Sequence, residues 1–249
     1  MKTIEDIRKI FAEKYVNNEF TIDKTGAVTV EIVGENFVAD EDSIFLKVNK
    51  DYVQRELEWY LSQSLNVYDI PGKIPEIWKK VADKDGFIHS NYGWCIFSEE
   101  NKSQYRNCLR QLINDQNTRR AVMIYTRPSM QYEYNNNGMS DFMCTCYTHQ
   151  FIRNGKLVYI VYQRSCDAVF GFRNDLAWHQ YVASKLINDL KNNGIEIKDT
   201  PEIIFSCGSI HVYERHFYLI KEYIENTIKN TDSGLYTKFL KNNGTLVEL

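Results

Sequence analysis

The sequence has few prolines, no CxxC pair, no long apolar run and no excess of positive charge. It contains 4 prolines and 12 glycines, and neither residue type gathers into a linker or a repeat. No stretch approaches the roughly 20 apolar residues of a membrane-spanning helix, and the segment from Met1 to Asp6 lacks the apolar centre of a signal peptide. These absences predict a cytoplasmic protein without a membrane partner, built as a single catalytic domain over residues 1–249.

Net charge and cysteine content narrow the possible partners and metal sites of the protein. The formal net charge is −3 and the isoelectric point is about 6.0, which gives no basic field for a nucleic-acid backbone. We therefore expect no nucleic-acid polymer as partner, and any nucleic-acid chemistry to concern a free nucleotide. The 6 cysteines are expected to be reduced thiols, and their spacing predicts no metal site.

Periodicity predicts an α+β chain in which long helices pack against one dominant sheet. Helices are expected at 4–16, 51–63, 176–190 and 210–224. Strands are expected at 28–32, 121–125, 142–152, 157–162 and 203–207. The segment 153–156, with the sequence RNGK, is typical of a hairpin turn between two of these strands.

The most informative feature is the pair of segments 162–167 (YQRSCD) and 170–175 (FGFRND), preceded by Cys144 twenty positions before Arg164. A thiol, a guanidinium, a hydroxyl and carboxylates at these intervals could hold a nucleotide phosphate while sulfur attacks the base. From the residues alone, Cys144 is better explained as a buried strand thiol that behaves as a small apolar side chain.

These segments resemble the pyrimidine-binding signature of the thymidylate synthase superfamily and, within it, the bacteriophage deoxycytidylate hydroxymethylases. The segment 140–145 (SDFMCT) resembles the strand of the catalytic cysteine, although Met143-Cys144-Thr145 stands where the synthases have Pro-Cys-His. The resemblance spans about residues 22–218. It implies the three-layer thymidylate synthase fold, with one large mixed sheet, and a homodimer formed through that sheet.

The resemblance implies a phosphate site made by two subunits. Arg164 and Ser165 would bind the phosphate within one subunit, while Arg119 and Arg120 would reach the site of the partner. Lys24 stands where the synthases usually carry arginine, so it keeps the charge and loses the bidentate geometry. On the residues alone, the adjacent arginines are equally consistent with a solvated turn.

The resemblance also implies how the sugar and the base are held. His211 and Tyr213 resemble the pair that hydrogen-bonds the sugar 3′-hydroxyl, and Asp167 resembles the residue that supports the nucleotide loop. Asp175 stands where the synthases have asparagine, and a carboxyl group complements the amino edge of cytosine. A register shifted by one residue would place Asn174 there instead and favour uracil. Asp175 is also consistent with a helix N-cap.

Four further residues complete the expected site. Glu56 resembles the glutamate that organises water and moves protons around the base, although an amphipathic helix also carries such residues on its surface. Tyr92 resembles the aromatic residue near the thiol and is a candidate to guide the departing C5 proton. Trp78 and Trp94 are candidates to stack on the rings of a folate, with core packing as the alternative.

The reaction implied by the resemblance is deoxycytidylate 5-hydroxymethylation. The Cys144 thiolate would add to C6 of dCMP, and 5,10-methylenetetrahydrofolate would supply a one-carbon unit to C5, followed by water. Three alternatives remain: reductive methylation of dCMP or dUMP, hydroxymethylation of dUMP, and a catalytically silent nucleotide- or RNA-binding protein. The segment 244–249 does not match the closing tail of the synthases, which weakens the reductive alternative.

Overall fold

The computed structural model describes residues 1–230 of the chain, so the segment 244–249 lies outside the described residues. The strands are β1 (Phe20–Ile22), β2 (Val28–Val38), β3 (Val122–Ile124), β4 (Thr145–Arg153), β5 (Lys156–Gln163), β6 (Cys166–Asp167) and β7 (Glu202–Tyr213). The α-helices are α1 (Ile4–Val16), α2 (Lys50–Ser62), α3 (Glu76–Val81), α4 (Tyr92–Phe97), α5 (Gln104–Asn114), α6 (Met130–Glu133), α7 (Gly171–Asn192) and α8 (Phe217–Asn230).

One mixed sheet organises the described residues. Its strand order is β1-β2-β7-β5-β4-β3, and β6 pairs with β7 beside this path. The pairs β5–β7 and β6–β7 are parallel, whereas the others are antiparallel. This architecture confirms the predicted α+β class with one large mixed sheet.

Local sequence signals explain where several elements begin and turn. Thr3 caps α1 in a reciprocal capping box with Asp6, which satisfies backbone N–H groups that the first helical turn leaves free. The predicted hairpin joins β4 to β5 through Asn154 and Gly155, whose φ angles are 54° and 66°. Positive φ at both central residues is the conformation that matches the twist of paired strands.

The core lies between the sheet and the long helix α7. Phe172, Trp178 and Leu186 from α7 are almost completely buried, as is Phe205 from β7. Burying a side chain of this size stabilises the fold by about 1.5–3 kcal/mol. This packing fixes α7 against the sheet. It therefore also fixes the position of Asn174 and Asp175, which lie near the start of the helix.

The helix predicted over 210–224 is wrong at its start. The segment from Ile210 does not begin a helix, because β7 continues to Tyr213 and the helix starts at Phe217. Ile210 and Val212 alternate into the core while their neighbours face outward, and this alternation fits the segment as well as the helical spacing does.

Asp175 is not a helix N-cap. The helix α7 begins at Gly171, so Asp175 lies in its second turn and its carboxyl group is not needed to cap the helix start. The predicted strand from 142 begins instead at Thr145. Cys144 therefore precedes the regular part of β4. Within residues 1–230, no helix is long and apolar enough to cross a membrane.

Candidate active site

A cavity of about 670 Å³ opens between α2, the start of α7 and the end of β7, a volume within the range of small-molecule sites. Most of the sequence-predicted site residues line it. They are Lys24, Glu56, Trp78, Tyr92, Cys144, Arg164, Ser165, Asp167, Asn174, Asp175, His211 and Tyr213. Residues from distant parts of the chain therefore share one cavity.

Cys144 lies at this cavity beside an irregularity in β4, where the pairing register with β5 shifts between Thr145 and Tyr147. Such a bulge changes the direction of the strand and of the side chains next to it. Burial raises the pKa of the Cys144 thiol to about 12, the nearby Arg164 opposes this shift, and Asp175 adds to it. The sulfur is consequently protonated before a ligand enters.

Arg164 is held at the thiol by carbonyl groups. Its Nε donates to the carbonyl of Met143 at 2.9 Å and its Nη2 to that of Phe142 at 2.6 Å, while Nη2 lies 3.9 Å from the Cys144 sulfur. The guanidinium also stacks over the Phe142 ring at 4.8 Å. A cation fixed in this way can stabilise negative charge on sulfur as that charge forms.

Asp175 ends a chain of hydrogen bonds at the cavity wall. Gln163 Nε2 donates to Asp175 Oδ2 at 2.7 Å and to Thr145 Oγ1 at 3.3 Å. Thr145 donates to the Tyr92 hydroxyl at 3.1 Å, and Tyr92 lies close enough to Asp175 to oppose the rise in the pKa of that carboxyl group. Burial raises the pKa of Asp175 to about 6 despite these donors. The carboxyl can therefore carry or release a proton near neutral pH.

Glu56 faces the same space from α2. Tyr52, four residues earlier on the helix, donates its hydroxyl to Glu56, and Trp78 Nε1 donates to Glu56 Oε1 at 3.2 Å. Burial raises the pKa of Glu56 to about 7, with the Asp175 charge adding to the shift. The alternative of a surface carboxylate fits its neighbour Glu58, which is exposed.

Asn174 and Asp175 both line the cavity but are about 100° apart around α7. The carboxyl of Asp175 interacts with Tyr92 and with Glu56, whereas Asn174 Oδ1 is buried without a hydrogen-bond partner in the described structure. Asp175 is thus the one of the two side chains that interacts with Tyr92 and Glu56.

The outer face of β7 supplies the opposite wall. His211 pairs in register with Asp167 of β6, and its ring lies edge-on to Tyr213, with the ring centres 5.0 Å apart. Asp167 Oδ1 accepts from the backbone N–H of Val169 at 3.0 Å. The Arg215 guanidinium stacks over Tyr213 at 4.4 Å.

Lys24 reaches the cavity from the turn between β1 and β2. Its Nζ donates to the Tyr134 hydroxyl at 2.9 Å and lies 5.1 Å from the centre of that ring. Tyr134 in turn packs edge-on against Phe142, whose ring also contacts the Arg164 guanidinium. Two cations and two aromatic rings therefore stand together at one side of the cavity.

Three predicted residues lie away from this cavity. Trp94 is buried, donates its Nε1 to Glu100 at 3.1 Å and packs against Arg127, so the structure does not bring it to the site expected for a folate. Arg119 and Arg120 are exposed and do not line the cavity of their own chain.

Sequence reasoning missed several residues that line the cavity or contact its lining. Tyr52 stands four positions before Glu56, a spacing that puts two helical side chains side by side, so it could have been identified. Gln163 adjoins Arg164 in the same motif and donates to Asp175. Its burial could not be predicted from the sequence. Arg173 and Arg215 also face the cavity. Within residues 1–230 no three His, Cys, Asp or Glu side chains form a group suited to a metal.

Comparison with known proteins gives a consistent result. The family model described as thymidylate synthase matches residues 5–241. Deoxycytidylate 5-hydroxymethyltransferase of Enterobacteria phage T4 is 52% identical over 220 residues, which cover 88% of this chain and 89% of that protein, and the phage T2 enzyme gives the same values.

More distant proteins are also similar. A thymidylate synthase of Francisella tularensis subsp. holarctica is 25% identical over 226 residues, covering 84% of this chain and 80% of its own. The solved structure of thermostable thymidylate synthase A from Bacillus subtilis superposes with a TM-score of 0.64 at 22% identity, over 90% of this chain and 84% of that one. This last likeness concerns the fold.

Proposed function

Because this chain belongs to the thymidylate synthase family, we propose that it is a deoxycytidylate 5-hydroxymethyltransferase acting as a single catalytic domain. The observation that carries the proposal is the meeting of the Cys144 thiol with two carboxyl groups of raised pKa, Glu56 and Asp175, in one cavity. A pyrimidine needs all three groups, since its C6 must be attacked, its edge recognised and its protons moved.

The sulfur begins the reaction by forming a bond to C6 of the pyrimidine. The pKa of the Cys144 thiol is about 12 in the free protein, so the thiol proton must leave as that bond forms. Arg164, 3.9 Å from the sulfur, stabilises the developing negative charge. Addition at C6 makes C5 the nucleophilic carbon of the ring.

Asp175 recognises the edge of the cytosine ring that carries N3 and the amino group. Cytosine presents a ring nitrogen that accepts a hydrogen bond and an amino group that donates one. With a pKa of about 6, the Asp175 carboxyl can give a proton to N3 and accept from the amino group. Protonation at N3 neutralises the charge that sulfur addition pushes into the ring. Both effects favour dCMP over dUMP.

Glu56 and Tyr92 then move protons at C5 and at the incoming carbon. Glu56, with a pKa of about 7, can take up and return a proton at neutral pH. It is suited to hold the water that adds to the new carbon. The Tyr92 hydroxyl, which accepts from Thr145 and lies near Asp175, is suited to guide the proton that leaves C5.

The apolar wall of the cavity fits a folate. Trp78 lines it beside Ile77, whose side chain is 61% exposed at the mouth, and a flat ring system covers such surface favourably. When bound, 5,10-methylenetetrahydrofolate would supply a one-carbon unit at the oxidation level of formaldehyde. Trp78 and Ile77 would orient it, and no metal is required by the donor groups present.

We propose a cytoplasmic homodimer in which Arg119 and Arg120 complete the phosphate site of the partner, together with Arg164, Ser165 and Lys24. Both arginines are exposed and lie away from their own cavity. The outer face of the sheet carries apolar side chains that water reaches, including Val33, Ile124 and Tyr147, and such a face is typical of a protein interface. Neither a nucleic-acid polymer nor a membrane is needed by this scheme.

Mass spectrometry of the reaction product tests the proposed function. The protein is incubated with 5,10-methylenetetrahydrofolate and either dCMP or dUMP. We expect dCMP to gain about 30 Da, the mass of CH2O, and dUMP to react far more slowly. A gain of about 14 Da would indicate reductive methylation, and a product from dUMP alone would overturn the assignment of Asp175 to the cytosine edge.

A further inference from the structure

A row of three polar side chains crosses the outer face of the sheet behind the cavity. Glu31 of β2 stands opposite His211 of β7 in the pairing register, and Val33 stands opposite Ser209. Because side chains alternate along a strand, Ser209 and His211 project from the same face. Of the three, only His211 lines the cavity.

The hydrogen bonds of this row have a defined direction. Ser209 Oγ donates to Glu31 Oε1, and Ser209 Oγ lies 3.4 Å from His211 Nδ1. A carboxylate only accepts hydrogen bonds, and a serine hydroxyl has a single proton. The serine proton is therefore directed to Glu31, and the serine oxygen is left to accept a hydrogen from the histidine.

The imidazole must then carry its proton on Nδ1. Burial lowers the pKa of His211, and Arg164 acts in the same direction, against the carboxylates of Asp167, Glu31 and Asp23. The ring is thus neutral near pH 7, with one protonated nitrogen and one lone pair. With the proton on Nδ1, the lone pair is on Nε2.

The arrangement does not match a serine hydrolase. In a hydrolytic triad the acid holds the histidine and the histidine takes the serine proton, whereas here the acid holds the serine. Ser209 is therefore not activated as a nucleophile. What remains is control of which imidazole nitrogen bears the proton.

We infer that Ser209 and Glu31 are positioning residues that hold His211 as the Nδ1–H tautomer, so that Nε2 accepts a hydrogen bond from a hydroxyl of the substrate sugar. This inference rests on the proposed function, because it takes the ligand of the cavity to be a nucleotide. A nucleotide with a free 3′-hydroxyl supplies the required donor. One that lacks this hydroxyl, or carries a 3′-phosphate with acceptor oxygens alone, does not.

The tautomer can be measured without any substrate. Long-range 1H–15N correlation spectra of protein labelled with 15N-histidine distinguish protonated from unprotonated ring nitrogens, and the His211→Gln spectrum assigns the signal. We expect a protonated Nδ1 and an unprotonated Nε2 in the unaltered protein and in Ser209→Thr, which retains the hydroxyl. In Ser209→Ala we expect a shift towards the Nε2–H form. A protonated Nε2 in the unaltered protein, or no change in Ser209→Ala, overturns the inference.

A kinetic comparison tests the consequence for the substrate. We compare kcat/KM for dCMP with that for its 2′,3′-dideoxy analogue. Ser209→Ala should lower the preference for dCMP by about three- to tenfold, as expected for one hydrogen bond, mainly through KM, and Ser209→Thr should restore it. An unchanged preference in Ser209→Ala contradicts the inference. If neither nucleotide reacts with the unaltered protein, the proposed function fails, while the spectra still decide the tautomer.

Discussion

At the scale of single residues, the site depends on groups whose protonation burial has changed. The sulfur of Cys144 keeps its proton to a pKa of about 12, while Glu56 and Asp175 lose theirs only at about 7 and 6. In water these carboxyl groups would be ionised at neutral pH. Their surroundings therefore supply proton donors and acceptors where a pyrimidine would lie.

The thiol of Cys144 is expected to be essential for turnover and dispensable for binding. Cys144→Ser should lower kcat by roughly a thousandfold or more, because a hydroxyl is a far weaker nucleophile, and should leave the Kd for dCMP nearly unchanged. Rapid-quench kinetics and calorimetric titration measure the two effects. Cys146→Ser, two residues further along, is the matched control and should retain activity; turnover near the original rate in Cys144→Ser would remove the sulfur from the mechanism.

The carboxyl of Asp175 is expected to select cytosine. Asp175→Asn should lower kcat/KM for dCMP by roughly a hundredfold and improve that for dUMP, because an amide complements uracil. Competition assays with both nucleotides give the ratio directly. Asn174→Ala serves as the control and should preserve the original preference. If the ratio is the same in Asp175→Asn and the unaltered protein, another group reads the base edge.

Burial of Glu56 should make the protein less stable as the pH rises. Its pKa is raised from 4.5 to about 7, so the folded protein binds the proton more tightly than the unfolded chain between these values. The free energy of unfolding therefore falls as pH increases through this window, by roughly 3 kcal/mol for a group shifted this far. Glu56→Gln removes the effect. The free energy of unfolding of this variant, relative to that of the unaltered protein, should therefore be higher at pH 8 than at pH 5.

Urea denaturation at the two pH values measures this difference. The exposed Glu58, two residues along the same helix, provides the control, and Glu58→Gln should show no comparable pH dependence. Equal effects of Glu56→Gln at pH 5 and pH 8 would mean that the carboxyl is not protonated in the folded protein.

At the scale of secondary-structure elements, a close contact between α2 and α4 sets the position of Tyr92. A side-chain carbon added at Gly93 would lie 1.8 Å from the carbonyl oxygen of Tyr60, so only glycine allows the two helices to approach this far. The rings of Tyr60 and Tyr92 stack with their centres 5.2 Å apart. The glycine thus brings the Tyr92 hydroxyl to Asp175.

Gly93→Ala should disturb both stability and activity. The added methyl group forces α4 away from α2, which we expect to lower the free energy of unfolding by about 1–3 kcal/mol and to reduce kcat by displacing Tyr92. Thermal and urea denaturation measure the first effect. Gly171→Ala is the comparison. Its added carbon would lie 3.3 Å from one atom, the Cβ of Asp167, so this variant should be destabilised less. An equally stable Gly93→Ala protein would show that the helices can separate without cost.

At the scale of the whole molecule, the proposed site is complete only in a dimer. Arg119 and Arg120 lie on the exposed side of the chain, just before β3, while Cys144 and Arg164 face the cavity. If the partner supplies the two arginines, each site takes Cys144 from one subunit and Arg119 and Arg120 from the other. Substitutions of Cys144 and of the arginines can then be carried by different subunits. Mixed dimers can then contain one intact site.

Mixing two inactive variants should therefore restore activity. We combine Cys144→Ser with the double variant Arg119→Ala and Arg120→Ala, denature the mixture and refold it. Random pairing should give roughly a quarter of the original activity, since half of the dimers are mixed and each has one intact site. As control, Cys144→Ser mixed with Glu56→Gln should stay inactive. No recovery in the first mixture, with dimers confirmed by light scattering, would place the arginines outside the shared site.

The sequence by itself determined the class of the fold, most of its elements and, through the family resemblance, many of the residues that line the cavity. The elements follow from local causes, since apolar periodicity places Glu56 on a helix and the turn at Asn154 and Gly155 joins two strands. The cavity residues were implied by the resemblance that segments such as YQRSCD carry. Periodicity failed at Ile210, where helical and strand spacing coincide and only pairing with β2 decides between them.

The tertiary structure alone decided the chemistry of those residues. The pKa of Glu56 depends on its burial and on Trp78 and Asp175, which are far from it in the chain. Which ring nitrogen of His211 carries the proton depends on Glu31 across the sheet. Burial and hydrogen bonding between distant segments set both, because the energy of a charge or a proton depends on everything around it. A sequence read position by position holds no record of those neighbours.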